Sequence, residues 1–314
     1  MFAIGIDLGG TIIKIGLLNG HELIELRRVD APCDKDVCHA MNVVRDEINS
    51  LLSSNGVDSS QLRGVSVAFA GQVDVKNRRV MAVNGKYLGA DRFDFIKWAK
   101  DNWNTSFFID NDARMTAIGE WRCGAGRGET DVVVMTLGTG VGSAVIYEGK
   151  VMRGKRSQFG SLGGHFTVNH SGRTCTCGNI GCVESEAGSV VLPDIVRGHR
   201  DFNDSRLATV PVIDFKSVFT LADAGDRVAV DVRDYCLKVW ASAVTTFIHA
   251  YDPDAVILCG GIMNSSDVIV PYLRKYIESY AWTPFHKVKI KGSELGDMAG
   301  IMGAVCCLSD SELQ

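Results

Sequence analysis

The chain has 314 residues, of which 46% are hydrophobic, and 33 Lys and Arg against 37 Asp and Glu give a formal net charge of −4. At about 150 residues per domain, this length predicts two domains or lobes with sizeable cores. The apolar content excludes a disordered chain. The near-balanced charge argues against a basic nucleic-acid-binding surface and against attraction to acidic membranes. We therefore expect neither nucleic acid nor a membrane as a partner.

The N-terminal residues do not have the pattern of a secretion signal. No basic stretch is present, and Asp7 interrupts the first apolar run. No run of about 18 uncharged apolar residues follows, so we expect a cytoplasmic protein whose cysteines stay reduced. Seven of the 10 cysteines are scattered and are expected to be small buried hydrophobic residues. These seven are Cys33, Cys38, Cys123, Cys236, Cys259, Cys306 and Cys307.

Apolar patterning predicts strands and helices in alternation. Strands are expected where apolar residues alternate or run together, and helices where they recur every three or four residues. The predicted elements are a strand pair within 4–18, helix 37–52, strands 62–70 and 106–109, helix 113–122, a strand pair within 132–147, helix 227–250, strand 255–258 and helix 298–308. We expect a left-handed cap at Gly124 to end helix 113–122. Small residues in the last helix, Gly300 and Gly303 among them, favour close packing inside a core over a dimer contact.

Two glycine turns repeat along the sequence. Residues 8–11 read Leu-Gly-Gly-Thr and residues 137–140 read Leu-Gly-Thr-Gly, each between two predicted strands, which predicts two related lobes with one glycine hairpin each. Because glycine lets backbone N–H groups approach anionic oxygens, both turns are candidate phosphate sites. No Gly-Lys-Ser/Thr follows, and each turn leads into a strand, so neither a P-loop nor a Rossmann site is predicted. Asp7, Thr11 and Lys14 around the first turn suit a site for Mg²⁺ and a nucleotide.

Asn111 and Asp112 follow a predicted strand and precede helix 113–122. Catalytic groups gather at the carboxyl ends of strands in α/β sheets, which makes Asp112 a candidate catalytic carboxylate. Asp and Asn are also preferred helix N-caps, and capping is the interpretation that the local sequence favours. Asp110 is a second carboxylate nearby, so the local sequence leaves the assignment open.

A cysteine–histidine run predicts a metal site. Three thiols and one imidazole form a complete tetrahedral ligand set for a structural Zn²⁺, with no open position for a catalytic water. The set is His165, Cys175, Cys177 and Cys182. His170 is an alternative to His165, since spacing alone does not decide between the two. The predicted role of the metal is to hold a loop that packing alone would not order.

These motifs, in this order, resemble the ROK family (repressors, open reading frames and kinases) of the hexokinase–actin-like superfamily over essentially the whole chain. The segments that carry the resemblance are 7–14, 111–113 with 119–120, 137–142, 164–165, 175–184 and 256–261. The resemblance implies an α/β, two-lobed actin/hexokinase-like (ribonuclease H-like) fold with a structural zinc loop at 165–184. It places an N-terminal lobe at 1–112 plus 298–314 and a C-terminal lobe at 113–297, and it implies a homodimer.

The resemblance also implies an activity: ATP-dependent phosphorylation of a hexose or N-acetylhexosamine at the 6-hydroxyl, as in a glucokinase, with Asp112 as general base. It implies that the cofactors are a structural Zn²⁺ and the Mg²⁺ that accompanies ATP. The implied sugar-binding residues are Asn84, Asn111, Asp112, His165 and Glu184. The implied nucleotide and Mg²⁺ residues are Asp7, Gly9, Gly10, Thr11, Lys14, Gly138, Thr139, Gly260 and Gly261.

One position departs from the family pattern. ROK kinases carry a Glu-x-Gly-His motif, and here the carboxylate position is Leu162, with no Asp or Glu anywhere in 149–179. Losing a hydrogen bond to a charged group costs roughly 1.5–3 kcal/mol, or about 10- to 100-fold in sugar affinity. The missing carboxylate has three candidate replacements nearby, Ser157, Gln158 and Ser161. Alternatively, the pocket prefers a different hexose.

Two alternative functions follow from the same resemblance. ROK repressors sense sugars and carry an N-terminal helix-turn-helix, but here the first strand is predicted to begin by about residue 3, which leaves no room for one. A sugar-binding protein with weak or no kinase activity is the other alternative, and Leu162 is the residue that suggests it.

Overall fold

The computed structural model describes residues 1–32, 36–83 and 85–309. The chain divides into two compact units. Unit 1 comprises Met1–Gly128, Glu148–Ser161 and Glu294–Gln314, and unit 2 comprises Glu129–Tyr147 and Leu162–Ser293. Each unit contains its own mixed sheet, so the predicted α/β class is confirmed.

Strands and helices alternate as the apolar patterning predicts. The strands are β1 (Phe2–Leu8), β2 (Ile12–Asn19), β3 (Glu22–Asp30), β4 (Leu62–Phe69), β5 (Gly71–Asp74), β6 (Arg79–Val83), β7 (Ser106–Asn111), β8 (Val132–Leu137), β9 (Val141–Tyr147), β10 (Lys150–Val151), β11 (Ala255–Cys259) and β12 (Lys289–Gly292). The α-helices are α1 (Val37–Ser54), α2 (Phe95–Trp103), α3 (Asp112–Cys123), α4 (Val183–Ala187), α5 (Leu192–Arg197), α6 (Phe215–Asp223), α7 (Arg227–Tyr251), α8 (Ser266–Tyr280) and α9 (Ala299–Ser309). None of the helices in the described part of the chain is both long enough and apolar enough to span a membrane.

The two sheets share one topological pattern. The main sheet of unit 1 has the order β3-β2-β1-β4-β7, in which β1 is antiparallel to β2 and β4 is parallel to both β1 and β7. Within unit 2, neighbouring strands follow the order β9-β8-β11-β12, in which β8 is antiparallel to β9 and β11 is parallel to both β8 and β12. In each unit a glycine hairpin therefore lies beside parallel strands, as the sequence repeat predicts.

Helices α3 and α9 pack closely in unit 1. A Cβ on Gly119 of α3 would collide with the carbonyl oxygen of Ala299, and a Cβ on Gly303 of α9 would collide with that of Met115. The two backbones touch because both positions lack a side chain, and the prediction that α9 is a packed core helix is confirmed. The predicted lobe boundary between 112 and 113 differs from this division, since the whole of α3 lies in unit 1.

The predicted left-handed cap at Gly124 is wrong. Gly124 has φ −122° and ψ −140°, and its N–H bonds the carbonyl oxygen of Glu120. A Cβ at Gly124 would instead collide with the buried Glu120 carboxylate, which accepts backbone N–H groups of Ala125 at 2.9 Å and Leu295 at 3.1 Å. A glycine is therefore needed at position 124 because a side chain would displace the Glu120 carboxylate. Its backbone does not adopt a left-handed conformation.

The expectation that the scattered cysteines are buried holds in part. Cys236, Cys259, Cys306 and Cys307 are buried, but Cys38 is exposed and Cys123 is only half-buried. Cys38 lies in the first turn of α1, where its backbone N–H donates to the capping Asp36 at 2.7 Å and its thiol also bonds Asp36. Cys33 lies outside the described residues.

Candidate active-site residues

The carboxyl ends of the parallel strands bring several predicted residues of unit 1 to one sheet edge. Asp7 of β1 aligns with Ala68 of β4, which aligns with Asp110 of β7. Because α3 begins directly after β7, Asp112 lies at the same edge as Asp7. The structure thus brings the two predicted carboxylates of the first lobe to the end of the sheet where α/β proteins hold their catalytic groups.

Asn111 is the N-cap of α3, and Asp112 is the first residue of the helix. The Asn111 side-chain oxygen accepts from the N–H groups of Ala113 at 3.1 Å and Arg114 at 3.3 Å. Its amide nitrogen donates to Asp112 Oδ1 at 2.8 Å, and Asp112 Oδ1 also accepts from the Ala113 N–H at 2.8 Å. Both of these bonds to Asp112 use Oδ1, and they fix the orientation of the carboxylate.

The environment of Asp112 makes it a stronger base than an ordinary Asp. Burial, and after it the negative charge of Asp7, raise the pKa of Asp112 to about 6. Hydrogen bonds from the Ala113 N–H and the Asn111 amide act in the opposite direction. A carboxylate with a pKa near 6 is still ionised at neutral pH and accepts a proton more readily, which suits a general base.

Asp110 has a structural role instead. It is fully buried, and its two oxygens bind two guanidinium groups, Arg114 at 3.1 Å and Arg153 at 2.9 Å. Arg114 is buried as well, and it also donates to the Ser157 carbonyl at 2.7 Å and to Ser161 Oγ at 3.2 Å. The two neighbouring carboxylates therefore differ in their surroundings, since cations hold Asp110 and none of the described residues forms an ion pair with Asp112.

The first glycine hairpin lies between an acidic and a basic group. Lys14 Nζ lies 3.5 Å from Asp7 Oδ2 and 3.3 Å from Asp297 Oδ1. Burial raises the pKa of Asp7, while the charge of Lys14 lowers it. Tyr87 donates its hydroxyl to the Gly9 carbonyl oxygen at 2.6 Å, which fixes one side of the turn. Asp7 and Lys14 are thus paired beside this turn, and their role in binding Mg²⁺ and phosphate stays a prediction.

The second glycine hairpin has a carboxylate directly behind it. Glu184 Oε2 accepts the N–H of Val141 at 2.9 Å, and a Cβ at Gly140 would collide with that same oxygen. The turn is also bonded through its carbonyl groups, since Ser189 N–H donates to Gly138 at 3.3 Å. Glu184 therefore joins this hairpin to the cysteine loop that precedes α4.

The predicted nucleoside residues lie beside the second hairpin. Cys259 at the end of β11 pairs with Thr136 of β8, which places Gly260 next to the Gly138–Thr139 turn. Gly260 has φ +96°, and a Cβ there would collide with the Leu137 carbonyl. The structure thus places Gly260 against Leu137, the residue that leads into the predicted Gly138–Thr139 turn.

The cysteine–histidine loop has the geometry of a metal site. The donor atoms of His165, Cys175, Cys177 and Cys182 all lie within 4.8 Å of one another. Cys175 Sγ is 3.6 Å from His165 Nδ1, and Cys177 Sγ is 3.7 Å from Cys182 Sγ. In a tetrahedral zinc site with bonds of about 2.3 Å, two sulfurs are about 3.8 Å apart, so this set of donors fits Zn²⁺.

His165, and not His170, is the nitrogen donor of this group, because His170 is exposed and outside it. His165 ends a short 3-10 turn in which the Gly163 N–H donates to Ser143 Oγ at 2.8 Å. A Cβ at Gly164 would collide with the Val141 carbonyl, so the turn is packed directly on β9. The second hairpin, the His165 turn and Glu184 are therefore one connected structure.

Leu162 precedes this turn and is partly exposed. Ser161 is one of the polar residues that could replace a carboxylate at this position. Its hydroxyl accepts a hydrogen bond from Arg114 and donates one to the Gln158 carbonyl at 3.2 Å. The Ser161 hydroxyl is thus already engaged within unit 1. Asn84, the remaining predicted sugar contact, lies outside the described residues.

Sequence reasoning missed two buried charged groups that support the site. Arg114 holds Asp110, and Glu186 holds the cysteine loop by accepting from the Arg173 N–H at 2.5 Å and from the Tyr235 hydroxyl. The four-residue spacing of Asp110 and Arg114 was a signal for the first pair. For Glu186, the only signal in the sequence was its position two residues after Glu184. Its partners, Arg173 and Tyr235, are not close to it in the sequence.

The comparisons with known proteins identify the family. The ROK family profile matches residues 3–311, so the chain belongs to the ROK family. It is 30% identical to a glucokinase of Thermotoga maritima, over 98% of this chain and 97% of that protein. The crystal structure of a ROK family glucokinase from Streptomyces griseus with glucose and AMPPNP is 25% identical, with a TM-score of 0.78 over 98% of this chain and 99% of that one. A xylose repressor of Bacillus spizizenii is 24% identical, over 95% of this chain and 71% of the repressor.

Proposed function

We propose that this ROK family protein is an ATP-dependent sugar kinase that phosphorylates a hexose, or an N-acetylhexosamine, at its 6-hydroxyl. The observation that carries the proposal is the environment of Asp112, an oriented carboxylate whose pKa is raised to about 6. A repressor that only binds a sugar has no need of a tuned base at that position. The relatives named glucokinases support the same reaction class.

Asp112 acts as the general base in this mechanism. It takes the proton of the 6-hydroxyl as that oxygen attacks the γ-phosphorus of ATP, and we assign the proton to Oδ2, since Oδ1 holds two hydrogen bonds. The new O6–P bond forms as the bond from the γ-phosphorus to the bridging oxygen breaks. The products are a sugar 6-phosphate and ADP, with the proton on Asp112. A positioned base of this kind contributes about 10²–10⁴-fold to the rate.

The glycine hairpins bind the phosphates in this proposal. Asp7 would hold the Mg²⁺ that accompanies ATP, and that ion would help to neutralise the charge that develops on the phosphate oxygens. Lys14, which lies beside Asp7, would pair with the phosphate oxygens themselves. The backbone N–H groups of Gly9, Gly10 and Thr11 donate to the same phosphate oxygens in this proposal. In unit 2, the turn of Gly138 and Thr139 holds phosphate oxygens, and Gly260 with Gly261 flanks the nucleoside.

Both units provide sugar contacts in this proposal. The zinc loop fixes His165 and leads directly into Glu184, and both side chains hydrogen-bond sugar hydroxyls. Because Glu184 Oε2 is held by the Val141 N–H, Oε1 is the oxygen we assign to the sugar. Asn111 is assigned a further sugar hydroxyl, in addition to its capping role.

Leu162 narrows the substrate class. A carboxylate at that position would pair with a sugar hydroxyl, and an apolar side chain there favours a sugar that presents a less polar group to it. A substituted hexose such as an N-acetylhexosamine meets that condition better than glucose does. We therefore expect activity on an N-acetylhexosamine to exceed activity on glucose.

The proposal is tested with purified protein, MgATP and a panel of glucose, mannose, fructose, allose and the N-acetylhexosamines, with ADP release as the readout. We expect turnover on at least one sugar, and a sugar 6-phosphate as the product. Calorimetric sugar binding without turnover on any member would overturn the kinase assignment and support the sugar-sensing alternative. A product phosphorylated at another hydroxyl would overturn only the position.

A further inference from the structure

A second cysteine–histidine cluster lies in unit 1, apart from the zinc loop. His21 lies in the turn between β2 and β3, Cys123 is the last residue of α3, and Cys306 lies in α9. The proposed reaction uses none of the three. His21 is exposed, Cys123 is half-buried and Cys306 is buried, so the cluster runs from solvent into the core.

The three donor atoms form a nearly equilateral triangle. Cys123 Sγ lies 3.7 Å from His21 Nδ1 and 3.8 Å from Cys306 Sγ, and Cys306 Sγ lies 3.9 Å from His21 Nδ1. A tetrahedral Zn²⁺ with bonds of about 2.3 Å to sulfur and about 2.1 Å to nitrogen places two sulfurs about 3.8 Å apart and sulfur and nitrogen about 3.6 Å apart. The triangle therefore has the size of one face of such a site. A three-coordinate Cu⁺ fits the same triangle.

Ligand chemistry narrows the class of ion. Thiolates are soft ligands that select Zn²⁺ and Cu⁺, and imidazole suits both. Hard ions such as Mg²⁺ and Ca²⁺ prefer oxygen donors, and the cluster offers none. Two thiolates also neutralise the charge of a divalent ion that is partly removed from water.

We propose that His21, Cys123 and Cys306 form a second metal site that binds a thiophilic d10 ion, Zn²⁺ or Cu⁺. Three protein ligands leave a fourth position of a tetrahedral ion for water on the exposed side, next to His21. The site differs in this respect from the zinc loop, whose four donors complete the tetrahedron. It also differs in connectivity, because its ligands come from the two ends of the chain and from its middle.

The site connects three elements of unit 1 that are distant in sequence. His21 and Cys306 are 285 positions apart, so an ion bound to both restrains an otherwise very long loop in the unfolded chain. Cys123 ends the helix that Asp112 begins. Metal binding here stabilises the α3–α9 pair at the end of α3 remote from the general base.

The first test measures metal content. The reduced full-length protein is stripped with a chelator, loaded with Zn²⁺ alone or with Cu⁺ alone without oxygen, and desalted. We expect about two equivalents in the wild-type chain, one in the zinc loop and one here. His21→Ala and Cys306→Ala should each remove about one equivalent, and the ion that is lost identifies the metal. Cys307→Ala is the matched control, since Cys307 is buried on the same helix and contacts Met115 but is not one of the three donors.

The second test measures the ligands themselves. Co²⁺ substituted for Zn²⁺ gives a thiolate-to-cobalt charge-transfer band whose intensity scales with the number of thiolate bonds. Three thiolates of the zinc loop plus two here make five, so His21→Ala or Cys306→Ala should lower the band to about three-fifths of the wild-type value. His21 is exposed in a turn, so His21→Ala remains informative if Cys306→Ala fails to fold.

Two results would overturn the site. One is a metal content and a cobalt band that are unchanged in both His21→Ala and Cys306→Ala. The other is a metal-free Cys123–Cys306 disulfide in the freshly purified protein, detected as a cross-linked peptide by mass spectrometry. Neither result bears on sugar phosphorylation, because none of the three residues takes part in the proposed reaction.

Discussion

The two glycine hairpins have similar sequences and the same arrangement of neighbouring strands, but the carboxylates beside them differ. At the first, Asp7 comes from the hairpin's own strand and pairs with Lys14. At the second, Glu184 comes from α4 and is bonded to the Val141 N–H. The local sequence therefore determines both turns, whereas the carboxylate beside each turn comes from the hairpin's own strand in unit 1 and from a later segment in unit 2. We expect changes near the first hairpin to affect turnover, and changes near the second to affect sugar affinity and stability.

The largest effect is expected for Asp112→Asn in unit 1. It removes the general base, so kcat should fall by about 10²–10⁴-fold while the protein stays folded. Asp110→Asn is the matched control, because it leaves Arg114 buried without its full counter-charge, which costs about 3–5 kcal/mol of stability. Steady-state kinetics and urea unfolding measure the two effects. Full activity in Asp112→Asn would contradict the mechanism.

The next effect concerns the proposed zinc site in the cysteine–histidine loop of unit 2. Cys177→Ser removes one ligand of the complete set, so the zinc content, the melting temperature and the affinity for sugar should all fall. Cys38→Ser is the matched control, since Cys38 is also exposed but lies in neither cysteine–histidine cluster. Metal analysis and thermal unfolding compare the pair. Equal zinc content in both variants would show that the loop is not the zinc site.

A smaller effect is expected at the second hairpin itself. Gly140→Ala forces the Glu184 carboxylate away from Val141, which should weaken sugar binding by about 10- to 100-fold, the worth of one charged hydrogen bond. Gly138→Ala is the control, because among the described residues no atom lies within 4 Å of a Cβ there. Calorimetry with sugar and no nucleotide separates the two variants. Equal affinities would remove Glu184 from the sugar site.

The smallest effect is a pH dependence carried by unit 1. Because the pKa of Asp112 is raised to about 6, kcat/KM should fall about tenfold per pH unit below that value as the base becomes protonated. The same shift makes ionised Asp112 unfavourable to folding, so its contribution to stability is present below about pH 4 and lost as the pH rises through about 6. The stability of Asp112→Asn, measured relative to wild type at the same pH, should therefore be higher at pH 8 than at pH 4. A rate profile that stays flat down to pH 5 would contradict the raised pKa.

Features encoded by neighbouring residues were predictable from the sequence. Both hairpins, helix α3 and the metal loop depend on patterns within about 20 residues, and the structure places each where the pattern indicates. The choice between His165 and His170 was not available from spacing. It is determined by Gly164, whose missing side chain lets the His165 turn lie against β9.

Features that depend on distant partners could not be predicted. Asp110 lies two residues before Asp112 and is of the same residue type, but the second cation that holds it is Arg153, 43 positions further along the chain. Gly124 has the sequence position of a left-handed cap, but it leaves room for the Glu120 carboxylate, which accepts the N–H of Leu295, 175 positions after Glu120. Cys123 and Cys306 similarly had no pattern to separate them from packing cysteines until the fold placed both beside His21.

The contact of α9 with α3 has a consequence for the order in which the protein is made. Synthesis proceeds from the N-terminus, and domains generally fold as they emerge from the ribosome. All of unit 2 precedes α9 in the chain, but α9 supplies buried residues to unit 1, including Ile301 and Val305. Unit 1 begins first and is completed last. A premature stop codon between residues 294 and 298 would therefore leave unit 2 whole and expose the core of the half that was synthesised first.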